Sequence, residues 1–181
     1  MTIDPGDVLN VWIDPDHRPF WFAKSDSFDA LLRDQFVGVL DEALTGAFDD
    51  WAEEPDGALA LILLLDQFPR NIHRGSARAF ACDAKALAVC QQTMAHGFDL
   101  LLDRTLRMFA YLPLEHAEDL AMQELAIARM ATLGNPELVY YARLHYAVVE
   151  RFGRFPHRNE ILGRPSTAEE ERYLASGGLR F

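Results

Sequence analysis

"NPELVYYARLHYAVVERFG", Asn135 to Gly153, holds a helix start, a helix body and a helix stop in one short run. Asn135 is a side-chain cap. Pro136 takes the first helical position, where its missing N–H breaks no intrahelical bond, and Gly153 supplies the left-handed residue that ends the helix. His145, between Tyr141 and Val149, falls on the apolar face and is expected to make one satisfied hydrogen bond in the core. The same punctuation recurs on either side. Downstream, "STAEEERYLAS" sets Thr167 and Glu170 three apart as a capping box. Upstream, Gly134 closes a helix that begins near Ala117, and Asp83 as a cap with Gly97 as a stop bounds another.

Further toward the N-terminus, Leu31, Leu32, Phe36, Val39, Leu40, Ala43 and Leu44 recur at three- and four-residue steps before Gly46, the signature of an amphipathic helix. Ala58 to Gln67 is apolar on all sides, and its Ala and Leu enrichment favours a buried helix that Pro69 then ends. A further apolar pattern, Leu100 to Phe109, leads to Pro113. Strand signals are missing: no sustained period-two alternation and no Asn-Gly or Asp-Gly turn. These patterns predict an all-α fold of about seven antiparallel helices packed ridge into groove, in a single domain over 1–181.

The chain has 181 residues, half of them hydrophobic and a quarter charged, as ordinary globular proteins do. Its longest apolar run, "ALALILLL" at Ala58 to Leu65, is far short of a membrane span. The N-terminal stretch carries acids where a secretory signal carries bases, so a cytoplasmic location without membrane partners is expected. Cys82 and Cys90, eight apart in one helix, lie beyond disulfide reach, and no thiolate zinc site can be assembled from two such residues.

The net charge of −11 argues against a general nucleic-acid partner. Its basic residues are nevertheless 15 Arg and two Lys, and seven of the Arg fall in the windows 66–78 and 151–164, where uniform scatter would leave about two. Arg forks grip carboxylates and phosphates bidentately as Lys cannot. An acidic chain thus carries two basic islands.

Several motifs in fixed order, "FDALLRDQF", "ALALILLLDQFPRNIHRG", "AFACDAKALA", "FAYLPLEHAEDLAMQE" and "RFGRFPHRNEILGRPST", resemble the bacterial domain-of-unknown-function family numbered 924 from about Val8 to Leu174. The resemblance implies a tetratricopeptide-like superhelical fold and no established activity. Its motif positions fall here on Asp66, Gln67, Phe68, Pro69, Arg70, Asn71, Arg74 and Gly75; on Leu112, Pro113, His116, Glu118, Asp119, Leu120, Gln123 and Glu124; and on Phe152, Gly153, Arg154, Pro156, His157, Arg158 and Asn159. Ala117 and Met122 depart from the pattern, where a small polar residue and an acid are usual. That departure weakens any scheme needing a full set of carboxylates.

Each motif carries two alternatives. In the first, Arg70 caps the preceding helix end, Asn71 makes a side-chain turn and Asp66 pairs with an Arg from elsewhere; or Asp66, Gln67, Arg70, Asn71 and Arg74 face a cleft and bind an anion. In the third, Arg154, His157, Arg158 and Asn159 stand on a rigid turn that either recognises an anion or locks the C-terminal segment onto the helices through Arg–carboxylate pairs. In the second, a helix already including His116 would set His116, Asp119 and Gln123 along one face. Two such ligands are too few for a metal site, so neither metal nor cofactor is expected.

Two functional classes follow. One is a binding protein that holds an anionic small molecule or a peptide carboxylate in an Arg/His-lined cleft. The other is a hydrolase or transferase on a phosphorylated or carboxylated substrate, with His116 or His157 as acid–base and Asp119 orienting it. Oligomeric state is not legible in these patterns.

Overall fold

The computed structural model describes residues 3–181, and every regular element among them is helical. The α-helices are α1 (Pro5–Ile13), α2 (Asp26–Thr45), α3 (Pro55–Ile62), α4 (Phe68–Ile72), α5 (Asp83–Ala95), α6 (Arg104–His116), α7 (Leu120–Ala131), α8 (Pro136–Phe152) and α9 (Ala168–Ala175). The nine segments, against an expected seven or so, include a short α1 and a buried helix divided into α3 and α4. The described residues cluster into two compact units, Met1–Ala110 and Tyr111–Phe181.

In the first unit the buried apolar run is the organising element. Gly57 to Gln67 is buried at every position, which is why its sequence shows no helical periodicity. Leu63–Gln67 widens into a π-turn, in which the Phe68 N–H donates to the Leu63 carbonyl. The chain then continues as helix through Pro69 to Ile72. Pro69 therefore does not end the helix, contrary to expectation. A proline in a regular helix loses a bond and collides with the preceding turn, and here the register change of the π-turn lies immediately before it.

Around that run pack the rings of Trp12, Phe28, Phe36, Phe68 and Phe109, with Trp12 5.7 Å from Phe68 and edge-on to Phe109 at 5.3 Å. Gly57 lies directly against the Trp51 carbonyl, so close that a β-carbon there would overlap it. The end of α2 is as expected: Gly46 closes it in the left-handed region at φ 103°. The start of α5 is not. Asp83 is its first helical residue rather than its cap, because its carboxylate is engaged by Arg70.

In the second unit α7 and α8 form a helical hairpin that buries Ala126, Met130, Ala142, His145, Val148 and Val149. Asn135 caps α8 by accepting from the Glu137 N–H, and Gly153 ends it at φ 69°. Thr167 and Glu170 form the capping box of α9. Pro113 is inside α6, which runs on to His116. The chain then leaves the helix, and Asp119 caps α7, accepting from the Met122 N–H at 3.0 Å. His116, Asp119 and Gln123 hence do not share one helical face. Gln123 Nε2 instead donates to the carbonyls of Glu115 and Ala117 at 2.6 and 2.8 Å, satisfying acceptors that the end of α6 leaves open.

Candidate functional site

The first basic island is tied into its own unit. Arg70 lies on α4 and forks onto Asp83 of α5 at 2.9 and 3.0 Å, while its Nη1 also donates to the Asp66 carbonyl and stands 3.1 Å from the Asp66 carboxylate. Burial works against its charge, but Asp66 and Asp83 more than compensate and raise its pKa. Asp66 is fully buried and accepts from Gln67 Nε2 at 2.6 Å. Its arginine partner is the neighbouring Arg70, one turn along the same run.

Arg74 and Asn71 converge on Asp29 of α2. Arg74 donates through Nε and Nη2 at 2.9 and 3.0 Å, and Asn71 Nδ2 donates at 2.8 Å. Burial alone would raise the Asp29 pKa; the hydrogen bonds from Arg74 and Asn71, with the charges of Arg74 and Arg33, lower it instead. Arg78 reaches Asp41 at 2.7 Å on the exposed rim, where such pairs contribute little.

Beside Asp29 lies a shallow cleft, wide open to solvent, of about 450 Å³ lined by Lys24, Asp26, Asp29, Arg33, Arg74 and Gly75. Three cations meet two carboxylates. Lys24 pairs with Asp26 at 3.1 Å and Arg74 with Asp29, whereas Arg33 donates from Nη2 to the Ile72 carbonyl at 2.8 Å. That bond caps the end of α4 and leaves the Arg33 charge with no ion-pair partner among the described residues. Lys24 and Arg33 lie outside both islands, so clustering along the chain could not single them out. The signal that finds Arg33 is the spacing along α2, where it sits one helical turn after Asp29 and on the same side.

The second island is tied in the same way. Arg154 forks onto Glu170 of α9 at 2.6 and 2.8 Å and donates to the Pro165 carbonyl. The Arg154 bonds, outweighing desolvation and joined by the Thr167 N–H and Asn159, hold Glu170 down at about 2. Arg164 forks onto Glu118 at 2.6 and 2.9 Å, and Glu118 also accepts from the Phe155 N–H. Glu118 is thereby lowered although burial pushes it up. Asn159, fully buried, donates to Ser166 Oγ and accepts from Arg164 Nε. Buried Arg158 donates to the His116 carbonyl at 3.0 Å and stacks its guanidinium 4.4 Å from the Phe155 ring centre.

These bonds display, for Arg70, Arg74, Arg154 and Arg164, the internal-pairing alternative. They do not remove Arg74 from the cleft, because its guanidinium is both an Asp29 partner and a wall of the opening.

Three of the six histidines, His116, His145 and His157, lie in the second unit. The His145 ring lies 6.2 Å from His116, and its Nδ1 is 2.9 Å from the Tyr141 carbonyl, the core hydrogen bond that its place on α8 predicts. Burial drives its pKa down to about 3. His157 is held at about 4, by burial first and then by the charges of Arg158 and Arg180. A proton carrier works best with a pKa near the operating pH. At neutral pH His157 is uncharged, and Asp119 is occupied in capping α7.

Among the described residues, no three His, Cys, Asp or Glu side chains are placed to hold a metal ion, and no helix is long and apolar enough to cross a membrane. Cys82 and Cys90 are both buried.

The chain is similar over almost its whole length to a solved structure of a protein of unknown function, ATU0120, from Agrobacterium tumefaciens. The two are 41% identical and superpose with a TM-score of 0.88 over 96% of this chain and 97% of that one. No curated protein matches the chain. The family described as a bacterial protein of unknown function, DUF924, matches residues 8–178. The chain belongs to this DUF924 family of bacterial proteins.

Proposed function

We propose that this protein binds a small anion, a carboxylate or a phosphate ester, in the first-unit cleft walled by Lys24, Arg33 and Arg74. The observation that carries this is Arg33: it lines the opening, and its guanidinium bonds a backbone carbonyl and has no carboxylate within ion-pair distance among the described residues. Asp29, itself on the lining, holds Arg74 in place, which lowers the entropy lost when an anion is gripped. The protein acts in the cytoplasm, and its helices stack as a tetratricopeptide-like array. The α7–α8 hairpin, the kind of unit from which such arrays are built, supports that stacking.

A thermal-shift screen against phosphorylated and carboxylated metabolites tests the proposal. A ligand at about 100 times its Kd stabilises the native state by roughly 2.7 kcal/mol. The stabilisation should disappear in Arg33→Ala, whose exposed side chain the core does not need. A hit of equal size in Arg33→Ala would move the site elsewhere.

A further inference from the structure

The second unit holds an aromatic contact that no helix requires. Past Gly177, which turns the chain at φ 84°, residues 178–181 lie outside any helix and are attached through two backbone bonds to Tyr173. Gly178 N–H donates to its carbonyl and Leu179 N–H to its hydroxyl, each at 2.9 Å. The Phe181 ring then stacks on His145 with centroids 3.6 Å apart, and meets Phe155 and His157 edge-on at 5.8 and 6.1 Å. It remains 37% exposed, so it covers this wall without being enclosed.

Beneath it the chemistry is unfinished. Both ring nitrogens of His157 are buried and meet no partner at full hydrogen-bonding geometry; the Phe181 backbone is the group near enough to favour its charged form, so a ligand that displaces Phe181 has that place to take. Buried imidazoles are normally bonded, and a phenyl edge offers nothing to bond. Arg158 and Arg180 depress the His157 pKa and outweigh Glu118, while on the other side of the wall the buried Glu115 carboxylate stands 3.4 Å from His145 Nδ1.

We infer that the wall formed by His145, Phe155 and His157 is a binding site for a small aromatic carboxylate, and that Phe181 occupies it as a tethered competitor. The ligand ring replaces the phenyl on His145, and its carboxylate accepts from the His157 N–H beside Arg158. This site is independent of the Arg33 cleft.

Phenylacetate is the probe, with acetate as control, titrated into the full chain while the imidazole signals are followed by NMR. Phe181→Ala should bind phenylacetate at least tenfold more tightly than the wild type, with shifts in the His145 and His157 rings that acetate does not produce. In Phe181→Ala/His157→Leu the gain should be lost. High phenylacetate should also displace the Phe181 ring signals in the wild type, a readout that needs no variant to fold. Equal affinity in wild type and Phe181→Ala, or a probe that leaves both His signals unmoved, overturns the inference. Binding abolished by Arg33→Ala would assign the probe to the other cleft and overturn it equally.

Discussion

Arg74 and Asp29 are 45 positions apart in the chain and meet through two hydrogen bonds of 2.9 and 3.0 Å, with Asn71 on the same carboxylate. The pair joins the turn after α4 to α2 and forms one wall of the proposed anion cleft. Structure and binding are therefore coupled at these residues, and variants must separate the two effects.

Arg74→Ala should lower stability by about 1–3 kcal/mol, the usual cost of stripping a charged partner from a largely buried acceptor. Asn71 would remain on Asp29, which keeps the loss below that of full isolation. Urea midpoints at constant slope check this, and an unchanged midpoint would mean that solvent replaces Arg74 without cost.

Gly57→Ala should destabilise by on the order of 1–3 kcal/mol, the range for overpacking a tight interior. The new methyl group has to displace the Trp51 backbone rather than the end of a flexible side chain. Thermal unfolding of the variant measures it.

Acid should weaken the lock between Arg154 and Glu170. Glu170 has its pKa depressed in the fold from an ordinary 4.5 to about 2, so its contribution is complete above about pH 4.5 and is lost as pH falls toward 2. Glu170→Gln should be less stable than the wild type at pH 6, and the gap should narrow steadily below pH 4.5. A gap independent of pH would show that packing, not charge, is what Glu170 contributes.

Histidine titration gives a second acid signature. His145 and His157 are depressed from 6.5 to about 3 and about 4, so both favour folding when neutral and oppose it as pH drops below 6.5. Their ring protons should keep the neutral-form chemical shift down to pH 5.5. Midpoints near 6.5 would place both rings in water rather than in the core.

Helix ends were the most legible part of the fold, because caps are local: Asn135, Gly153, Thr167 with Glu170, and Gly46 each act within a few residues. Pro69 misled for a related reason. Local rules exclude proline from helix interiors, yet a π-turn before Pro69 and burial of the whole run let the chain continue. The motif residues drew notice as clusters, but their partners Asp29, Asp83, Glu118 and Glu170 lie 13 to 46 positions away, and only the fold selects them. Lys24 and Arg33 escaped notice altogether, since neither belongs to a cluster.

The anion cleft is tested most directly by titrating inorganic phosphate and succinate into the labelled protein and following the Nε–H signals of Arg33 and Arg74 with the Gly75 amide. Saturable shifts at these three positions, lost in Arg33→Ala while the remaining spectrum is kept, are the predicted result. Signals that stay fixed at the cleft, or saturable shifts centred on other residues, would contradict the proposed site.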